Sequence, residues 1–312
     1  MPTAVEQKID RLNTASVKRV IEPEERFAWH EIGDGQVIPD ALLSVADLGL
    51  DLTPAQKARL SREEVAAMLS TGVMFEAVLT AGFALQIAYG DDVTDPRVTY
   101  MLHEIGEESR HSRAFARVVE QLDPKAKNPL SNPVVRFFEK RFIPLLIGSP
   151  AFLCVMILAG EEIPDLLQKL ASEHPDTDPV LAEVNRYHRQ EEARHLAFAR
   201  TTLPELYAEA SPFTKLRIRY VAPIAIKNLF DMFVHPGVYA TVGLPTWKTW
   251  RAANRSPSRV ALRHEATRPI LRACIDAGVF RPGSVPRGWQ RLCGVDRHAE
   301  PLAGLPQLAL QG

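Results

Sequence analysis

The sequence predicts an all-α protein, a four-helix bundle with additional flanking helices. Three observations predict it. The chain reads as successive helical segments separated by short turn clusters, and such a pattern packs as one bundle. Four of the segments set acidic residues on faces that otherwise read as core. Two of those four also carry Glu-x-x-His, in GEESRHSRAF and YHRQEEARHLAF.

The elements follow in order. Ser61-Arg62-Glu63-Glu64 has the form of a capping box and predicts a helix from there to about Gly90. Thr94 or Asp95, with Pro96 at the first helical position, opens a second helix that ends near Leu122-Asp123-Pro124. A connecting helix is expected over 132–147. Ser149-Pro150 starts the next, which runs to about Glu173. The turn cluster 174–179 separates it from a fourth ligand-bearing helix, which Pro204 should end or kink after Leu203. Further helices are expected over 212–234 and 256–277. Residues 1–280 read as a single helical domain with an N-terminal helical extension, and the Gly- and Pro-rich 281–312 as an irregular tail.

Composition narrows the class. The chain has 312 residues, is 46% hydrophobic and 24% charged, and carries a formal net charge of −1. That balance gives no reason to expect nucleic acid or an anionic membrane as a partner. Phe142 to Gly160 has no charged residue, but Gly148-Ser149-Pro150 interrupts it, so it reads as two buried helix ends and not a membrane span. Cys154, Cys274 and Cys293 form no CxxC pair and read as reduced, packed thiols. The N-terminal MPTAVEQKIDRLN has no apolar run, so no secretory signal is expected and a cytoplasmic location is.

The chemistry lies in the acids. Glu76 interrupts the apolar face Leu69, Val73, Leu79, Phe83. Glu108 and His111 continue the seam Val98, Met101, Ile105. His188, Glu192 and His195 lie at i, i+4 and i+7, one stripe with Leu181, Val184 and Ala199. Residues three apart share a helix face, so each Glu-x-x-His can hold one metal ion from one side. A weak repeat supports the pairing: Glu108 follows Glu76 by 32 residues, and Glu192 follows Glu161 by 31. Glu162 aligns better with its own helix's apolar face, so both Glu161 and Glu162 stand as candidates, with the repeat favouring Glu161. Glu107 and Glu191 read as solvated acids or supports for the ligands. One Glu-x-x-His arises readily by chance; two on core faces, each with a lone acid on a partner helix, are the ligand set of a dinuclear carboxylate site. Four carboxylates balance two divalent ions, and oxygen and nitrogen donors without thiolate suit iron or manganese better than structural zinc.

The set Glu76, Glu108-x-x-His111, Glu161 and His188-x-x-x-Glu192-x-x-His195 resembles the AurF-type p-aminobenzoate N-oxygenases, marked by the third histidine, here His188. The resemblance spans roughly residues 60–280. It implies a ferritin-like fold, a site of two iron ions (a manganese–iron pair accepts the same ligands), and O2-dependent oxidation of an aromatic amine. An external electron donor and a homodimer are implied with it. An arginine that binds the substrate carboxylate in that family is matched most nearly by Arg263. Phe115 stands where radical-bearing reductase subunits carry tyrosine, which argues against a stored radical. A desaturase would lack His188. Phe75, Phe83, Phe115 and Phe198 read as core.

Overall fold

The computed structural model describes residues 3–308, apart from 134–136, 138, 139, 142, 145, 146 and 282. Its longer α-helices are α1 (Ala4–Lys18), α2 (Pro54–Tyr89), α3 (Pro96–Leu122), α4 (Pro150–Glu173), α5 (Pro179–Glu209), α6 (Pro212–Tyr220), α7 (Ala222–Met232), α8 (Thr246–Ala253), α9 (Pro257–Asp276) and α10 (Arg287–Cys293). The fold is all-α and ferritin-like. Helices α2 and α3 pair, as do α4 and α5, and the two pairs face each other as the bundle. Helix α1 lies on α3 and α5, and α9 covers α4.

Helix α2 begins earlier than the Ser61 motif predicts. Thr53 caps it through a reciprocal box with Gln56, and Pro54 sits at the first turn, where a missing N–H costs nothing. Ser61 and Glu64 are buried inside the helix and tie down the preceding loop. The Ser61 hydroxyl accepts from the Val37 amide at 3.1 Å, and Glu64 accepts from the Ser44 amide at 2.9 Å. The start of α3 is as expected, with Asp95 as cap and Pro96 first. Pro204 does not end α5, which continues to Glu209. The helix expected over 212–234 divides at Val221, because Pro223 enters the first turn of a new helix and can take no bond from the one before. The connecting helix expected over 132–147 lies partly outside the described residues, as does the uncharged run from 142; the described residues of 133–147 are helical. The tail expected to be irregular contributes α10, whose Trp289 is fully buried and donates to the Ile218 carbonyl at 3.1 Å.

Two apolar clusters form the core, and each bundle helix passes from one to the other. On α2 the change falls between Leu69 and Leu79, on α3 between Met101 and Ala114, and on α5 between Tyr187 and Leu196. The acids and histidines singled out above occupy the layer between. By length and composition α2 could cross a membrane; here Leu69, Glu76, Leu79 and Phe83 face the bundle. The three cysteines are buried and unpaired.

Candidate metal centre

Seven side chains converge on this polar layer, in two groups. Glu76, His111 and His188 form one; Glu108, Glu161, Glu192 and His195 form the other. Within each group the donor atoms lie within 4.8 Å of one another. All seven are buried, His111 and His195 completely. Each group draws on both helix pairs, so the site exists only when the two halves of the bundle close.

Glu108 and Glu192 stand in the middle. His111 Nδ1 is 3.3 Å from Glu108 Oε2 and 3.1 Å from Glu192 Oε1. His195 Nδ1 is 2.8 Å from Glu192 Oε2 and 3.2 Å from Glu108 Oε1. Both imidazoles thus turn Nδ1 inward and Nε2 outward, and the outward nitrogens are held crosswise. Glu191, beside Glu192, takes His111 Nε2 at 3.0 Å, while Glu107, beside Glu108, takes His195 Nε2 at 2.8 Å. Arg194 joins the two braces at 2.9 Å from Glu107 and 3.1 Å from Glu191. These acids are buried supports, one of the two roles their position allowed. His188 is oriented the other way: Gln168 Oε1 lies 2.9 Å from its Nδ1, leaving Nε2 3.3 Å from Glu192 and 3.6 Å from Glu76. Ser112 donates to Glu76.

The electrostatics show what the cluster lacks. Burial pushes Glu76 and Glu161 above the usual carboxylate range, Glu161 strongly. Burial opposes charge on Glu192 too, but His195 and His188 hold it well below that range. His111 and His195 are held well above theirs, against burial, by the surrounding carboxylates. Protons shared between acids and imidazoles therefore do the work of positive charge. They do it incompletely: Glu108 Oε1 and Glu192 Oε1 are buried without an aligned donor. Buried carboxylate oxygens need a proton, a cation or a metal. Four carboxylates and three imidazoles around two centres fit two divalent ions, by donor type and by the oxygens left without an aligned donor.

The other candidates lie elsewhere. Glu162 is in neither group and pairs with Arg200. Arg263 is buried 3.9 Å from Asp231 and lines no cavity at the cluster. Glu104, one turn before Glu108, did not stand out in the sequence. It is fully buried, neither oxygen has a hydrogen-bond partner, and burial pushes its pKa up to about 8, so it is a neutral acid at neutral pH. The buried stripe of α3 runs Tyr100, Glu104, Glu107/Glu108, His111, whereas the predicted seam placed Val98 and Ile105 on it; both are only half-buried. Reading from Tyr100 at helical spacing would have found Glu104.

A cavity opens on the Glu76, Glu161 and His188 side of the cluster. Phe75 and Phe115, expected as core, are in its wall, while Phe83 and Phe198 pack in the core away from it. Gly160 lets the wall close, since a Cβ there would lie 1.8 Å from the Phe75 ring.

The family model described as P-aminobenzoate N-oxygenase AurF matches residues 2–278. Uncharacterized protein Mb0909 of Mycobacterium bovis (strain ATCC BAA-935 / AF2122/97) is 28% identical over 173 residues, 55% of this chain and 50% of its own length. Uncharacterized protein Rv0885 of Mycobacterium tuberculosis (strain ATCC 25618 / H37Rv) matches with the same identity and coverage. The chain thus spans about half the length of the curated relatives it matches. The family match covers most of the chain, and the protein belongs to the AurF p-aminobenzoate N-oxygenase family.

Proposed function

From that membership we propose that the protein is a non-haem diiron oxygenase that uses O2 to oxygenate the nitrogen of an aromatic amine. The observation that carries the reading is the division of seven buried donors into two groups that share a boundary at Glu108 and Glu192. Glu76, His111 and His188 would hold one ion, and Glu108, Glu161, Glu192 and His195 the other. Iron, or a manganese–iron pair, suits this donor set. Two such ions would supply electrons to O2, with an external donor restoring them.

The protein's own groups have distinct tasks. Glu107 and Glu191 fix the imidazole tautomers so that both inward nitrogens carry lone pairs. The apolar wall, with Phe75 and Phe115, holds the amine beside Glu76 and Glu161 and keeps water from the reacting atoms. Neutral Glu104 keeps a proton within the bundle one turn from Glu108. A homodimer belongs to the same proposal, and the exposed stripe Met74, Ala77, Ala81, Ala84 and Ala88 along α2 supports it by allowing close helix approach.

The test is anaerobic loading with Fe(II), followed by O2 and a panel of arylamines. Hydroxylamine or nitro products formed only by the loaded protein are expected. Oxidation at carbon alone, or no product from any amine, would contradict the reading.

A further inference from the structure

We propose that the cavity at the metal centre selects an uncharged amine and that Asn185 is the residue that orients it, its amide oxygen accepting from the amine N–H. The inference rests on the reading of that cavity as the amine site.

Among the described residues, no lysine or arginine lines the cavity. Its polar residues are Glu76, Glu161 and His188, assigned to the metals, and the amides Gln168 and Asn185. The rest is apolar, including Leu69, Phe75, Phe115 and Phe233. Two divalent ions against four carboxylates leave the centre without net charge, so loading adds no cation for a substrate anion. An anionic group buried there would meet carboxylates and no partner, which is strongly disfavoured.

The two amides differ. Gln168 is engaged with His188. Asn185 is 4% exposed, lines the same cavity, and makes no hydrogen bond to any described residue. Its amide faces the cavity with its hydrogen-bonding capacity uncommitted, so a ligand there can take it up. Asn185 lies three residues before His188, so the two are neighbours on one face of α5. A nitrogen bonded to Asn185 therefore sits at the metal end of the cavity, with its carbon skeleton against the aromatic wall.

Arg259 lines a second cavity that shares Ile38, Met68, Leu167 and Ala171 with the first. Buried Glu64 lines that second cavity and opposes the arginine's charge. A carboxylate would have to compete with Glu64 to gain this arginine.

Equilibrium dialysis of the full chain loaded with Fe(II), without O2 and at pH 7.5, tests this with three probes of similar size. They are 4-methylaniline (neutral amine), 4-aminobenzoate (anionic amine) and 1,4-dimethylbenzene (no amine). The wild type should bind 4-methylaniline at least ~10-fold tighter than 4-aminobenzoate. Asn185→Leu should weaken 4-methylaniline ~5–10-fold, the loss of one hydrogen bond, and leave 1,4-dimethylbenzene unchanged or tighter. Equal or tighter binding of 4-aminobenzoate overturns the proposal, and its loss in Arg259→Gln would place the acid in the second cavity. Equal weakening of the amine and the hydrocarbon by Asn185→Leu overturns the role of Asn185. The wild-type comparison needs no variant to fold. Because no O2 is present, the binding pattern stands or falls apart from the oxygenase reading.

Discussion

Gly160→Ala perturbs a close helix contact beside the centre. Gly160 precedes Glu161 on α4, and Phe75 precedes Glu76 on α2. An added Cβ would stand 1.8, 2.0 and 2.7 Å from three carbons of the Phe75 ring. Carbon atoms pack at about 3.5–4.0 Å, so the ring must withdraw by roughly 1.5–2 Å or α4 must move away. Phe75 lines the cavity, so the ring can retreat into it at the expense of ligand space. Overpacking of this kind costs about 1–3 kcal/mol. Urea unfolding of metal-free protein, which removes the contribution of metal binding, should show Gly160→Ala destabilised by about 2 kcal/mol. Phe75→Leu, which removes part of the ring volume, should cost about 1 kcal/mol alone. The double variant should be more stable than Gly160→Ala, with a coupling of about 1–2 kcal/mol. Additive costs, or a Gly160→Ala change within about 0.3 kcal/mol of wild type, would refute the contact as the reason for the glycine.

Three further outcomes are expected. Burial raises Glu64 to about 7, so its folded-state pKa lies above the unfolded one. Its stabilising contribution is therefore greatest below the unfolded pKa and is lost as pH rises through about 7, a change of about 3 kcal/mol. The stability of Glu64→Gln relative to wild type should rise by about that amount over the same window, and parallel pH–stability curves would refute it. Glu107→Gln and Glu191→Gln should each weaken iron binding about 10–100-fold in a chelator competition, because a ligand histidine loses its brace; unchanged affinity would show the braces to be idle. Glu161→Gln should lower iron content towards about one per chain, whereas Glu162→Gln should keep both ions and lose only a partly exposed pair with Arg200, and the reverse pattern would exchange their roles.

The fold class was legible because the chain's start and stop signals are local. Asp95-Pro96 and Ser149-Pro150 set helix starts by backbone chemistry alone, and both stand where expected. Ser61-x-x-Glu64 misled for an instructive reason: the same side chains that cap a helix can bind a loop from a helix interior. The tail was opaque because Gly and Pro content marks irregular chain but says nothing of where Trp289 lands. At the site, the seven donors could be read from their spacing on amphipathic faces. Glu162 could not be separated from Glu161 that way, because adjacent residues differ by ~100° of helix rotation and both are buried. Arg263 was a match of position, and it does not line the cavity at the cluster. Glu104 and Asn185 carry no motif, and only the packed bundle shows that Glu104 is buried without a hydrogen-bond partner and that Asn185 lines the cavity.

The central claim is that the two donor groups hold two redox-active ions. Metal analysis of the full chain from an iron-replete preparation, with Mössbauer spectra of the oxidised protein, tests it most directly. The account predicts about two irons per chain in a single coupled population. One iron per chain, isolated high-spin sites, or zinc in place of iron would contradict it.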